Sequence, residues 1–281
     1  MRRIRLTITL QEGLIENVDH LVDGEKIRNR SHAIEYILLQ YLKPHIGKAV
    51  ILAGGKGEKL RPYTYELPKP LLPIKGRPIL EHLIENLRMA DVREIILCVG
   101  YLGDKIREYF GDGKKWGVKI QYSEEKTPVG TGGAIKKIRA FVKDDPFLVL
   151  HGDILTNLNL TDIINFHKDQ ASKATVALVS TKDPSLFGQF ELHGSKIVGF
   201  YERTRKGEEK SYLVNTGVYV FNKAIFDYFP NKPAFMLENI LQNLIGKKEL
   251  SGFVFEDQWF DVGTAENYGE AIKKYISKTT L

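Results

Sequence analysis

Polar and apolar residues alternate strictly at the start of the chain, with Arg3, Arg5, Thr7 and Thr9 set against Ile4, Leu6, Ile8 and Leu10. A period of two predicts a strand with one buried face. After Gln11 and Glu12 the period lengthens to that of a helix, with Leu14, Val18, Leu21 and Val22 on one side. Gly24 interrupts it, and Ser31 can open a second helix that carries Ala33, Ile34, Ile37, Leu38 and Tyr41 inward. Pro44 and Gly47 close that pattern. A strand and two helices within residues 1–47 bury too little apolar surface to stand alone. Pairing with a second copy, strand against strand, supplies the missing core.

From Lys48 the texture becomes an α/β rhythm. Strand-like runs at 49–53, 94–99, 118–122, 147–150 and 174–179 alternate with helical stretches at 79–90, 104–110, 133–141 and 161–167. Such alternation predicts a Rossmann-like mixed, mainly parallel sheet with helices on both faces. His193-Gly194-Ser195 reads as a hairpin turn, and a last helix is expected over 265–276. The reading therefore divides the chain into a small domain, 1–47, and a large one, 48–281.

Composition narrows the classes. The longest apolar runs, such as Ile95 to Val99, have strand length and fall far short of a bilayer span, so no membrane is expected. Arg3, Arg5, Thr7 and Thr9 leave no apolar signal-peptide core. The single cysteine, Cys98, lies in an apolar run, which reads as core and fits a reducing, cytoplasmic setting. A net charge of +6 suits a polyanionic partner, phosphate-bearing substrates or a plain basic surface alike.

The first domain resembles the ribbon-helix-helix domains of the Arc, MetJ and CopG repressors over roughly residues 2–43. Arg5 to Leu10 matches their strand, and Arg30-Ser31 falls where that family starts its second helix. The resemblance implies a homodimer or higher assembly through residues 1–47. It also implies a ribbon whose outward Arg3, Arg5, Thr7 and Thr9 could enter the DNA major groove. The start of the second helix, with Arg30 beside it, could hold a phosphate. A dimerisation handle with a merely polar surface is the alternative.

The chemistry is concentrated in the second domain. Leu52-Ala53-Gly54-Gly55-Lys56-Gly57-Glu58-Lys59-Leu60-Arg61-Pro62 directly follows the first predicted strand of that domain. Glycines there let backbone N–H groups approach a phosphate chain, although a glycine-rich loop can equally be a tight turn. It has neither the Rossmann spacing nor the Gly-Lys-Ser/Thr ending of a P-loop. Its continuation, Leu67-Pro68-Lys69-Pro70-Leu71-Leu72-Pro73, fixes a lysine in stiffened backbone.

With Pro128 to Ala134, Leu150-His151-Gly152-Asp153, Phe200-Tyr201-Glu202-Arg203 and Phe260-Asp261-Val262-Gly263-Thr264, these segments resemble the sugar-1-phosphate nucleotidyltransferases. The likeness covers about residues 48–275 and implies the nucleotide-diphospho-sugar transferase fold. Residue by residue, it implies that Asp153 and Asp261 bind Mg²⁺ and that Lys69 sits beside the α-phosphate. It gives Lys59, where the family usually has arginine, the leaving phosphates. Leu52, Ala53, Gly54, Gly55, Gly57, Glu125, Pro128, Gly130 and Thr131 would bind the nucleotide. Gly188, Glu202, Arg203 and Asn215 would take the sugar phosphate, with Arg203 in place of a lysine. No C-terminal left-handed β-helix is expected.

The implied reaction is in-line attack of a sugar 1-phosphate oxygen on the α-phosphorus of a nucleoside triphosphate, giving a nucleotide sugar and pyrophosphate. Two anions react, so charge neutralisation and alignment dominate, and an ionised phosphate needs no general base. GTP is favoured, because a carboxylate at Glu125 can accept from both N1–H and N2–H₂ of guanine. Pro128 to Ala134 also looks closer to the mannose- and heptose-1-phosphate guanylyltransferases. Thymidylyl, uridylyl or cytidylyl transfer is the alternative within the family. A DNA-binding regulator whose second domain senses nucleotide or sugar phosphate is the alternative outside it.

Overall fold

The computed structural model describes residues 7–41, 46–143 and 146–277. The chain divides into two compact units, Met1–His45 and Ile46–Leu281.

In the first unit, helix α1 (Glu12–His20) and helix α2 (Arg30–Tyr41) occupy the two helical stretches. Val18 and Ala33 are buried, whereas Ile8, Leu14, Leu21, Tyr36 and Leu38 are exposed. The loop between the helices is pinned by the Asp23 carboxylate, which accepts from the N–H groups of Glu25, Lys26 and Ile27 at 2.8–2.9 Å. Arg30 makes a bidentate pair with Asp19, at 2.5 and 2.6 Å, so its guanidinium is engaged within the unit. The expected strand over 3–10 is not formed across 7–10, where Thr7, Ile8 and Thr9 are exposed and unladdered. A strand exists only through its ladder, and the partner expected here is another copy. Arg3 and Arg5 lie outside the described residues.

The second unit begins with β1 (Lys48–Ala53), a short hairpin of β2 (Pro73–Ile74) and β3 (Arg77–Pro78), and α3 (Ile79–Met89). Then come β4 (Glu94–Val99), α4 (Gly103–Phe110), β5 (Lys119–Glu124), α5 (Gly130–Lys137), β6 (Phe147–His151) and β7 (Ile154–Thr156). Next are α6 (Leu160–Asp169), β8 (Ala174–Ser180), β9 (Gln189–His193), β10 (Lys196–Tyr201) and β11 (Leu213–Phe221). The last elements are α7 (Leu237–Gly246), β12 (Leu250–Val254), β13 (Trp259–Asp261) and α8 (Ala265–Lys274).

Among the described residues the main sheet runs β5-β4-β1-β6-β11-β8-β12-β10-β9. Its β5-β4-β1-β6 half is parallel, and β11 pairs antiparallel with both β6 and β8. Strand β12 also pairs parallel with β8, while β10 pairs antiparallel with β12 and β9, so the sheet is mixed as expected but antiparallel pairings match the parallel ones rather than being the minority. Strand β1 shows why its sequence is apolar throughout. Ala49 and Ile51 face one core with α3, α4 and α6, while Val50 faces the other with α5 and α7. A strand buried on both faces has no polar alternation to show.

Two differences from the sequence expectation matter for the site. Helix α5 begins at Gly130 rather than 133 and ends at Lys137, near the middle of the expected stretch. Its glycine-rich start packs so tightly that a Cβ on Gly132 would stand 2.4 Å from the Phe235 ring. Close packing overrides the poor helix propensity of glycine there. Strands β7 and β13 form a separate antiparallel ribbon that pairs Asp261 with Ile154, each too short for a period to be read. A third apolar cluster joins Leu60, Leu155, Val262, Tyr268 and Tyr275, tying that ribbon to the glycine-loop segment and to α8.

Candidate active site

A cavity of about 520 Å³ opens at the carboxyl ends of β1 and β6. Its lining includes Gly57, Lys59, Lys69, Asp153, Gly188, Arg203, Asn215 and Asp261. Eight of the residues singled out from sequence thus converge, although they are scattered along the whole second unit.

The phosphate end is built first. After β1 the chain turns at Gly57, whose φ of +64° an L side chain rarely adopts. Thr64 Oγ1 donates to the Gly57 carbonyl at 2.7 Å, holding the turn from below. Lys56 and Lys59 reach the cavity from this loop. Glu58 also lines it, 4.0 Å from both Lys56 and Arg61. Lys69 opens a 3₁₀ turn between Pro68 and Pro70, anchored by the buried Leu71. Its Nζ lies 2.6 Å from Asp153 Oδ2, with the two side chains 14% and 31% exposed. A contact this short between charges of low exposure is worth more than a surface pair.

Asp153 stands in the break between β6 and β7, and Asp261 ends β13. The Val262 N–H donates to the Asp153 carbonyl at 2.9 Å, so backbone bonding holds the two aspartates together. Burial would raise the Asp153 carboxyl, but the charge and hydrogen bond of Lys69, with His151 beside it, hold it below its ordinary value. Asp261 is pushed up to about 6, first by burial and then by the Asp153 charge. One acid is neutralised by Lys69 and the other is repelled, an arrangement that a divalent cation would relieve. Among the described residues no group of three or more His, Cys, Asp or Glu side chains could hold a metal. Two carboxylates nevertheless suit Mg²⁺, a hard ion that keeps several waters and takes phosphate oxygens as further ligands.

Beyond the acids lies the expected sugar end. The Asn215 N–H donates to the Gly188 carbonyl at 3.0 Å, which sets these two positions side by side. The Asn215 amide donates to Tyr219 Oη at 2.7 Å and accepts from the Gly217 N–H at 3.0 Å. Trp259 Nε1 donates to the Thr216 carbonyl at 2.9 Å, linking β13 to β11. His151, at the end of β6, also lines the cavity, and its Nε2 is buried with no hydrogen-bond partner among the described residues. Glu202 departs from expectation: β10 ends at Tyr201, and Glu202 is exposed and not among the lining residues.

The remaining expected nucleotide residues gather outside this cavity, around the ends of β1, β4 and α5. A side chain at Gly54 would meet Glu125 Oε1 at 3.1 Å, so that carboxylate stands over the glycine loop. Burial raises the Glu125 carboxyl, against a hydrogen bond from the Val129 N–H and the Lys137 charge. Thr131 Oγ1 accepts from the Leu237 N–H at 2.9 Å, fixing the start of α5 to α7. Leu52 and Ala53 end β1, Gly55 is exposed in the loop, and Pro128 is exposed before Gly130. Thr216, Gly217 and Trp259 were not singled out from sequence. Their signal was faint, because Gly217, at a φ of +78°, interrupts the apolar run of β11.

A tight glycine turn at a sheet's carboxyl edge, facing two acids and a lysine clamped to one of them, is an arrangement suited to phosphate groups. Residues 48–278 match the nucleotidyl transferase family, and the chain belongs to that enzyme family. It is 34% identical over 251 residues to a UTP--glucose-1-phosphate uridylyltransferase from Synechocystis sp., covering 82% of this chain and 64% of that protein. It is 36% identical over 221 residues to the D-glycero-alpha-D-manno-heptose 1-phosphate guanylyltransferase of Campylobacter jejuni, covering 79% and 96% respectively. The chain thus spans slightly under two thirds of the first relative's length and nearly all of the second's. The solved structure of HddC from Yersinia pseudotuberculosis complexed with GMP-PN superposes with a TM-score of 0.68 at 28% identity. That match covers 80% of this chain and 98% of HddC. No described helix is long and apolar enough to cross a membrane.

Proposed function

We propose that the protein joins a nucleoside triphosphate to a sugar 1-phosphate, releasing pyrophosphate, with GTP as the favoured nucleotide. The observation that carries this reading is the convergence of Lys69, Asp153 and Asp261 in one cavity beside the glycine loop. Asp153 and Asp261 would hold Mg²⁺, which when bound would offset the charge of the triphosphate. Lys69 lies next to the α-phosphate and neutralises charge as the attacking oxygen approaches. The new bond forms between a sugar-phosphate oxygen and the α-phosphorus, and the bond from that phosphorus to the bridging oxygen breaks. Pyrophosphate leaves with the electron pair, met by Lys59 and by the backbone N–H groups of the loop. Arg203 grips the sugar's phosphate, and Asn215 and Gly188 line the sugar. No residue need remove a proton, since the attacking phosphate is already ionised.

Glu125 is the reader of guanine, accepting from N1–H and N2–H₂, with Gly54 leaving room for the base. The 36% identity to a heptose 1-phosphate guanylyltransferase also supports this choice. A screen of pyrophosphate release crossing the common nucleoside triphosphates with a panel of sugar 1-phosphates tests it. Turnover with GTP is expected; turnover of dTTP or UTP with GTP untouched would discard the guanine assignment.

Residues 1–47 serve as a ribbon-helix-helix pairing domain. The exposed Ile8, Leu14, Leu21, Tyr36 and Leu38 support this, since so small a unit leaves them to a partner. Paired ribbons would present Arg3, Arg5, Thr7 and Thr9 to DNA. Comparing binding of the protein to its own promoter region with that of Arg5→Ala at fixed salt examines that role.

A further inference from the structure

Asp261 is supported from beneath by a residue that the phosphate chemistry does not use. Asn267, in the first turn of α8, donates from Nδ2 to the Asp261 carbonyl at 3.0 Å. Its own N–H is already capped by Thr264 Oγ1 at 3.2 Å. The helix start is therefore served by Thr264, and the Asn267 amide reaches back out of the helix to the ribbon. Between them Gly263 packs under the carboxylate: a Cβ there would lie 3.1 and 3.3 Å from Asp261 Oδ1 and Oδ2. The support is anchored in turn. Tyr268 and Ala271 are buried in the third apolar cluster, and Tyr268 Oη donates to the Pro73 carbonyl at 2.9 Å.

Asparagine is a weak helix former away from a cap, and its side chain competes for nearby backbone groups. Here that competition has a definite target. The Asp261 peptide is gripped through the following N–H by Asp153 and through its own carbonyl by Asn267. With both polar groups of that peptide engaged, the backbone that carries the Asp261 carboxylate is restrained.

We infer that Asn267 is a positioning residue for the metal-binding carboxylate of Asp261, acting through the Asp261 carbonyl rather than touching metal or substrate. The inference rests on the proposed metal role of Asp261. Partners that orient a ligand typically change metal affinity about 10- to 100-fold when removed.

The test is titration of the metal-free, full-length protein with Mn²⁺ alone, following free Mn²⁺ by electron paramagnetic resonance. Asn267→Ala is expected to weaken Mn²⁺ binding about 10-fold with little change in melting temperature. Asn267→Gln, which keeps an amide donor, is expected to recover most of the affinity. Under turnover, Asn267→Ala should lower kcat at fixed Mg²⁺ while the KM for sugar phosphate holds. Should the alanine variant fold poorly, Asn267→Ser takes its place, because its short hydroxyl cannot span to the carbonyl. If Asn267→Ala binds Mn²⁺ as the parent does while Asp261→Asn has lost it, the positioning role is overturned and the metal site stands. If Asp261→Asn also binds Mn²⁺ at parental affinity, the metal role of Asp261 falls, and the inference with it.

Discussion

The two units of this chain solve the same problem, covering apolar surface, in opposite ways. The large unit buries three apolar clusters between and beside the layers of one twisted sheet. Among the described residues the small unit buries Val18 and Ala33 and leaves Ile8, Leu14, Leu21, Tyr36 and Leu38 in contact with solvent. The large unit can therefore hold charged groups at fixed distances in a cavity. The exposed apolar side chains of the small one are the ground for proposing that it pairs with another copy. Size decides the difference, because surface-to-volume scaling penalises a 45-residue unit far more than one five times as long.

The sharpest way to break this comparison is at Lys69. Replacing it with alanine removes the cation clamped to Asp153 and should lower the rate of pyrophosphate release on the order of 100- to 1000-fold. The fold should survive, since Lys69 lies at the cavity and not in the core. A loss below tenfold in steady-state assays would remove Lys69 from the mechanism.

Next comes a pair of leucines. Leu83→Ala on α3, buried among α3, α4 and β1, should cost about 2–5 kcal/mol in chemical denaturation. Leu14→Ala on α1, which is exposed, should leave that transition within about 0.5 kcal/mol while weakening self-association by ultracentrifugation. Equal effects on both would erase the distinction between the units.

A smaller effect follows from Asp261. Its carboxyl is raised to about 6 from 3.8, so the folded protein holds that proton more tightly than the unfolded chain does. Between those values the native state binds more protons, so stability falls as pH rises through the window and stays lower above it. Asp261→Asn should therefore raise the melting temperature of metal-free protein at pH 7.5 and change it little at pH 4. Added Mg²⁺ should stabilise the parent at pH 7.5 and not the variant.

The smallest expected change tests the independence of the large unit. Residues 46–281 alone should release pyrophosphate within about twofold of the full chain while losing its assembly state, read by light scattering. A fall far beyond that would make the small unit part of the catalytic machinery.

Much of the fold was legible because long elements declare their period. The expected strand over 94–99 coincides with β4, and the expected helix over 79–90 exceeds α3 by one residue. Short elements did not declare theirs. Ribbon β7–β13 has three residues per strand, yet it carries Asp261 to Asp153. The aspartates were found through their sequence neighbours, and their meeting depends on a pairing that no local pattern reports. Glu202 was assigned from its position after Phe200-Tyr201, but β10 ends before it and leaves it in the open. Asn267 was invisible in sequence, because its partner is a backbone carbonyl and backbone carbonyls carry no identity.

Nucleotidyl transfer at the two aspartates is tested most directly by pyrophosphate release from the parent protein and Asp261→Asn side by side, with GTP, Mg²⁺ and the panel of sugar 1-phosphates. The prediction is robust release by the parent with at least one sugar phosphate, and a loss of at least about 100-fold in the variant. Equal rates from the two proteins, or no release by the parent with any of the sugar phosphates, would contradict it.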